Sequence, residues 1–205
     1  MKLILVRHGE TQRNQEGLTQ GISDFPLNER GRKQAEALGS ALAKERIDAI
    51  YSSPLKRALE TARAIALFHR LEVRNDEGLR EMDVGELDGL SYSELMDRYP
   101  EFMKKWMEDV STLKMPGGEY ISQLQERVWA SIQQIVARHP QEVVVAVTHN
   151  FAIQSIICKA LDTKLDNFRR VRQDVGAFSV LEFGETGPLL LSLNERCHWV
   201  EDRRS

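Results

Sequence analysis

Apolar and polar positions follow two periods along this chain, and the switches between them mark its elements. Leu3-Ile4-Leu5-Val6 is a short continuous apolar run that ends in Arg7-His8-Gly9. Such a run fits a strand buried on both faces, as in a parallel sheet, that delivers polar residues to its carboxyl end. Over 29–44, after Asn28, the residues Ala35, Leu38, Ala41 and Leu42 fall on one helical face. Asp48 to Ser52 reads as a second strand. Ser53-Pro54 then reads as a helix start, with serine as the cap and proline in the first turn. That helix turns Leu55, Leu59, Ala62, Ile65 and Ala66 inward and carries Arg57 in its opening turn. A long amphipathic helix is predicted over 121–139, stopping at Pro140. Val143 to Val147 is the strongest strand in the chain, and it ends in Thr148-His149. A helix over 151–161 follows, and two late strands near 175–183 and 188–194 are close enough to form an antiparallel edge pair.

The pattern changes between Leu79 and Gly118, with glycines at 85 and 89, short helical pieces at 91–98 and 100–108, and an exposed-looking Trp106. Met115-Pro116-Gly117-Gly118 closes this stretch as a turn. Alternating strands and helices with one such interruption predict an α/β fold: a three-layer α/β/α sandwich with a mostly parallel central sheet and a small inserted helical cap. We expect a single domain over 1–205, with the cap insertion at about 82–118.

Composition narrows the partners. A net charge of −3 and a pI near 6.0 speak against a general nucleic-acid binder, which would present a basic face. No apolar run approaches a membrane span, and Met1 to Val6 is too short for a signal segment before Arg7 interrupts it. Cys158 and Cys197 make neither a disulfide framework nor a zinc site. No closely spaced His/Asp motif offers a metal site. The expectation is a cytoplasmic protein without metal or cofactor, binding neither nucleic acid nor membrane. The late strand pair leaves an edge on which a homodimer could form.

In folds of this kind, sites lie at the carboxyl ends of strands, and two strands here end in histidine. If Arg7, His8, Arg57 and His149 converge, they make a cationic pocket for a small tetrahedral dianion. Arginines give bidentate contacts to phosphate oxygens, and a neutral histidine can attack phosphorus. Gly9 would let the backbone pack against the imidazole and fix its tautomer. Taken singly, each residue has an ordinary explanation in packing or solvation. His69, His139 and His198 have no comparable setting.

Taken together, the motifs say more. Leu5-Val6-Arg7-His8-Gly9-Glu10-Thr11 with Asn14 closely resembles the signature of the histidine phosphatase superfamily. Leu27 to Gly31, Ser52 to Ala58 with Thr61-Ala62, Leu79-Arg80-Glu81 before Gly85 and Gly89, and Val147-Thr148-His149 are similar to further family segments in the expected order. The resemblance covers about residues 1–160 and implies roles. His8 would be the nucleophile that becomes phosphorylated. Arg7, Arg57 and His149 would hold the phosphoryl oxygens, with Asn14 as a further contact. Glu81 would be the acid that protonates the leaving oxygen and then the base that activates water. Gln20 and Gly21 match a substrate-facing position. The family commonly has glycine after the second histidine, whereas this chain has Asn150, expected to cap the following helix and to alter the pocket edge. The stretch from Asn194 to Trp199 is a further candidate lining.

The resemblance implies a metal-independent phosphomonoesterase acting on a small phosphate ester. The alternative within the family is a cofactor-dependent phosphoglycerate mutase. Such mutases carry a longer insertion with an Arg-His-Tyr-Gly segment after the catalytic glutamate. Here Glu81 to Gly89 is compact and lacks the basic residues that would grip a second anionic group, which favours hydrolysis. A regulator that only binds phosphorylated ligands could dispense with His8 or Glu81, yet both are present. Tyr92, Tyr99, Phe102, Trp106 and Met107 are the candidates for a specificity wall.

Overall fold

The computed structural model describes residues 1–199. Among these residues six strands, β1 (Lys2–Arg7), β2 (Ala49–Ser52), β3 (Val73–Asn75), β4 (Val143–Thr148), β5 (Phe178–Gly184) and β6 (Gly187–Glu195), form one sheet in the order β3-β2-β4-β1-β5-β6. The first four in that order run parallel, and β5 and β6 add antiparallel at one edge. Among the described residues seven α-helices accompany them: α1 (Gln12–Gln15), α2 (Glu29–Leu42), α3 (Lys56–His69), α4 (Tyr92–Arg98), α5 (Pro100–Glu108), α6 (Ile121–Arg138) and α7 (Asn150–Ala160).

The three layers follow from the two-residue side-chain period of a strand. Ile4 and Val6 of β1, with Val145 and Val147 of β4, pack against Leu38 of α2 and Ala58, Ala62 and Ile65 of α3. Leu3 and Leu5, with Val144 and Ala146, face the other way onto Leu124, Val128 and Ile132 of α6 and Ile153 and Ile156 of α7. Both faces of β1 and β4 are therefore buried, which is why their sequences read as unbroken apolar runs. Each valine, leucine or isoleucine among them contributes about 1.5–3 kcal/mol on burial.

Several local expectations are corrected. On α2 the buried stripe is Gly31, Gln34, Ala35, Leu38, Gly39 and Leu42, and Ala41 faces solvent. Gly39 takes the contact with α3: a Cβ there would lie 2.7 Å from the Phe68 ring and 2.8 Å from the Ala64 carbonyl oxygen. Helix α3 begins at Lys56 with Leu55 at its N-cap and no side-chain cap; Ser53 is used elsewhere, as described below. Asn150 is the first residue of α7, not its cap, which is His149. Trp106 is half-buried rather than exposed: it stacks on Phe102 at 6.1 Å and meets Phe151 and Phe168 edge-on at 6.1 and 5.6 Å. The late strands form the antiparallel edge pair expected, with Leu189, Leu191 and Leu193 of β6 exposed. No helix among the described residues is long and apolar enough to cross a membrane.

Candidate active site

The parallel register of β1 and β4 sets Arg7 beside Thr148, so His8 and His149 leave the sheet side by side. The His8 amide donates to the Thr148 carbonyl at 3.1 Å, and the two imidazole centroids are 5.1 Å apart. The loop carrying His8 is pressed against the start of α2. A Cβ at Gly9 would lie 2.4 Å from the Gly31 carbonyl oxygen, and one at Gly31 would lie 2.0 Å from that of Glu10. Gly9 is thus needed for its contact with Gly31, not for packing on the imidazole.

The tautomer of His8 follows from its neighbours. Its Nδ1 lies 2.7 Å from the Gly9 carbonyl oxygen, which only accepts, so Nδ1 carries the proton and Nε2 keeps its lone pair. Arg57 Nε lies 3.3 Å from His8 Nε2 and 3.2 Å from His149 Nδ1. One N–H therefore serves two neutral imidazoles. His149 then carries its proton on Nε2 and donates to Ser53 Oγ at 2.8 Å. Burial, then the charges of Arg57 and Arg7, holds His8 well below the ordinary histidine range. Burial and the Arg57 charge do the same for His149.

Arg57 is fully buried. Beyond its Nε contacts it donates through Nη1 to the Ser23 carbonyl and through Nη2 to that of Gly21, each at 2.7 Å. Burial lowers its pKa to about 10, so it remains a cation at neutral pH. Arg7 donates through Nη1 to the Gln173 carbonyl at 2.6 Å and to Asn150 Oδ1 at 3.3 Å. Its Nε is buried without a partner among the described residues.

Glu81 is buried, with Oε1 accepting from the Met82 amide at 2.9 Å and Oε2 from that of Phe151 at 3.2 Å. Desolvation raises its pKa even against those two bonds and the nearby Arg57 and Arg7 charges. This is the environment of a carboxyl group that can carry a proton. Asn14 accepts from the Thr11 amide at 3.1 Å through Oδ1 and borders a cleft together with Arg7. Gln20 accepts from Thr11 Oγ1 at 2.9 Å, and its Nε2 is buried without a partner among the described residues. Gly21 is fixed through its carbonyl to Arg57, with its Cα against the Met82 backbone and the Val84 side chain.

The structure thus brings Arg7, His8, Arg57 and His149 together around one point, with Glu81 held at the start of α7. Among the described residues, no group of three or more His, Cys, Asp or Glu side chains is placed to hold a metal. Sequence reasoning missed Ser53, read as a helix cap. It missed Thr61 as a contact, although Thr61 Oγ1 accepts from the Gly9 amide at 3.1 Å. It also missed Gln173, whose backbone bond to Arg7 leaves no trace in residue type. Of the terminal stretch, Arg196 and Trp199 border the cleft beside Arg7, while His198 stacks on Phe178.

Comparison with known proteins agrees with this geometry. The family model of the histidine phosphatase superfamily (branch 1) matches residues 3–196. Phosphoserine phosphatase 1 of Hydrogenobacter thermophilus is 37% identical over 201 residues, covering 98% of this chain and 95% of its own. The solved structure of Bacillus stearothermophilus YhfR is 31% identical, covers 96% of this chain and 98% of its own, and superposes with a TM-score of 0.89. A structure of a phosphoserine phosphatase mutant from Entamoeba histolytica in complex with phosphoserine is 29% identical, covers 97% of this chain and 99% of its own, and gives a TM-score of 0.87. The chain is a phosphatase-type enzyme belonging to branch 1 of the histidine phosphatase superfamily.

Proposed function

We propose that this protein hydrolyses phosphomonoesters of small metabolites through a phosphohistidine on His8, in one domain over 1–205 whose segment 82–118 caps the site. The observation that supports this best is the state of His8: a neutral imidazole, its Nδ1 proton tied to the Gly9 carbonyl, its Nε2 lone pair beside the buried Arg57 cation. The Nε2 lone pair attacks phosphorus as the bond from phosphorus to the ester oxygen breaks, and the leaving oxygen takes the proton of Glu81. Water then gives a proton to the Glu81 carboxylate and attacks phosphorus. The P–N bond breaks, freeing phosphate and His8. Arg7 and Arg57 hold the phosphoryl oxygens with His149, and the Asn14 amide and the unpaired Gln20 Nε2 complete the donor set. Such fixed donors stabilise the charge that builds on the transferring group. The arginines supply this charge stabilisation without a metal. The relatives named as phosphoserine phosphatases favour the same reaction class.

The test is phosphate release from alkyl and aryl phosphate esters in the presence of a chelator, for the wild type and Glu81→Gln. Wild-type turnover should survive the chelator. The kcat/KM profile should be bell-shaped. Its acid limb should lie below pH 6.5, because His8 must be neutral and its pKa is depressed. Its alkaline limb should lie above pH 4.5, because Glu81 must be protonated and its pKa is raised. Glu81→Gln should abolish the alkaline limb and slow alkyl esters by about 10²–10⁴-fold, with aryl esters, whose oxygen leaves without a proton, slowed far less. Equal losses on both ester types would remove Glu81 as the acid. With 3-phosphoglycerate the product should be inorganic phosphate and not 2-phosphoglycerate.

A further inference from the structure

The mechanism above requires Arg7 to be aimed, and its aim comes from outside the motifs. The Gln173 carbonyl lies 2.6 Å from Arg7 Nη1, and Asn150 Oδ1 lies at 3.3 Å. Gln173 belongs to segment 171–177, which carries neither helix nor strand. The same segment meets the end of β1 twice more. The Arg7 amide donates to the Ala177 carbonyl, and the Gly176 amide to that of His8, each at 3.0 Å. A segment without a regular ladder takes its shape from whatever else pairs with its backbone.

Here the partner is Asn194, near the end of β6. Its Oδ1 accepts from the Asp174 amide at 2.7 Å, and its Nδ2 donates to Asp174 Oδ2 at 3.1 Å. Its own amide donates to Ser179 Oγ at 3.0 Å, and that hydroxyl donates to Gln173 Oε1 at 2.6 Å. Ser179 and Gln173 are both buried. Asn194 thus grips the main chain directly after Gln173 and, through Ser179, the Gln173 side chain. It does so at φ +56°, in the left-handed region that strains most side chains. The other non-glycine residues there, Arg70 and Asp162, directly follow helices, a common place for that conformation. Asn194 lies in a strand instead. Phe178 pairs with Glu195 and Val180 with Ser192, so Leu193 and Asn194 together oppose Ser179 in a β-bulge. Bulges beside sites re-aim a side chain, and this one delivers Asn194 to Asp174.

We infer that Asn194 is a positioning residue: the bulge in β6 holds segment 171–177 so that the Gln173 carbonyl aims Arg7 at the phosphoryl group. The inference rests on the phosphatase reading above. The Asp174 carboxylate is also bonded to Arg172 and Arg196, so it stays anchored when Asn194 is replaced. What the replacement removes is the acceptor of the Asp174 amide, one residue from the carbonyl that takes Arg7.

The test is Asn194→Gly, with Asn194→Ala and Ser179→Ala beside it. Glycine keeps the bulge conformation and the amide bonded to Ser179 but loses the grip on Asp174; alanine loses the same grip and adds strain. Hydrolysis of an aryl phosphate is measured across pH, well below the melting range of each variant. Asn194→Gly should lower kcat/KM by about tenfold, in line with a weakened charge-assisted contact, and weaken inhibition by inorganic phosphate to a similar degree. Asn194→Ala should match that loss and also show a lower Tm. The acid limb of kcat/KM is the readout that a merely structural role would not move. Arg57 and Arg7 are the cations that hold the His8 pKa down, and Arg57 is tied to Gly21 and Ser23, away from this segment. A loosened Arg7 should therefore let the limb rise toward pH 6.5 in all three variants. Wild-type kcat/KM with an unshifted limb in folded Asn194→Gly would overturn the inference, as would a loss confined to the alanine variant. If Asn194→Gly does not fold, Ser179→Ala decides by the same readouts. A loss of about threefold with a raised limb is expected from it, and no change in either overturns the inference. If wild type hydrolyses the aryl ester and the variants match it, Asn194 fails and the phosphatase reading stands. If wild type hydrolyses no phosphate ester, both fall.

Discussion

Replacing His8 by alanine should reduce turnover by on the order of 10⁴-fold or more while leaving the protein folded, because it removes the nucleophile on which the whole route depends. His8 contributes little to the core that could not be lost. Its ring touches Arg57, His149 and the Gly9 carbonyl, all at the mouth of the sheet, whereas the strands behind it are held by Leu3 to Val6 and by α2, α3, α6 and α7. Circular dichroism and a melting curve close to wild type would establish the folded state. Activity within a hundredfold of wild type in that folded protein would mean that water attacks the ester directly and that His8 serves only as a ligand.

Arg57 should behave differently, with large losses in both stability and activity. Its guanidinium bridges two neutral imidazoles and ties down the Gly21 and Ser23 carbonyls from a position with no exposed surface. Arg57→Ala strands those acceptors and opens a cavity, at a cost of about 3–5 kcal/mol. In a chain of this size that lowers Tm by roughly 10 °C. Activity should fall by on the order of 10³-fold. Arg57→Lys keeps the charge but has no fork, so it cannot reach both imidazoles and both carbonyls. It should be nearer to the alanine variant than to wild type. The acid limb of kcat/KM distinguishes an electrostatic role from a merely structural one. Arg57 is, after burial, the largest cause of the depressed His8 pKa. Without that charge His8 protonates more readily, and the limb should move upward toward pH 6.5 in either the alanine variant or, to a smaller extent, the lysine variant. An unshifted limb would leave Arg57 as a scaffold residue only.

What could be read from the sequence was whatever both faces of an element enforce. β1 and β4 are buried on both sides, so their composition is unambiguous, and the histidines that end them mark the site directly. α2, α3 and α6 pack one face on the sheet, and their stripes follow the helical period. β3 left no such signal: Val73-Arg74-Asn75 is three residues long, lies at the sheet edge and is mostly exposed, so a single half-buried valine carries it. Ser53 was misread because a serine before proline suits a helix cap as well as a bond to a distant histidine, and only the meeting of β2 with β4 decides between them. Gly9 and Gly31 are 22 positions apart, and their mutual need is visible only when the backbones touch. Gln173 and Asp174 reach the site because β5 adds antiparallel to β1, a pairing that residue type does not encode. Asn150 departs from the family pattern and proves to be a contact of Arg7 rather than a cap.

The central claim is a covalent phosphohistidine on His8, and rapid quenching tests it most directly. Glu81→Gln should be mixed with a ³²P-labelled aryl phosphate, for which departure needs little acid while the activation of water in the second step is impaired. It should be quenched within the first turnover. Up to one equivalent of label per chain is expected, stable in alkali and lost in acid as a phosphoramidate is, carried by the peptide containing His8 and absent from His8→Ala. Turnover with no label above background at any quench time, or label stable in acid and mapped to another residue, would contradict it.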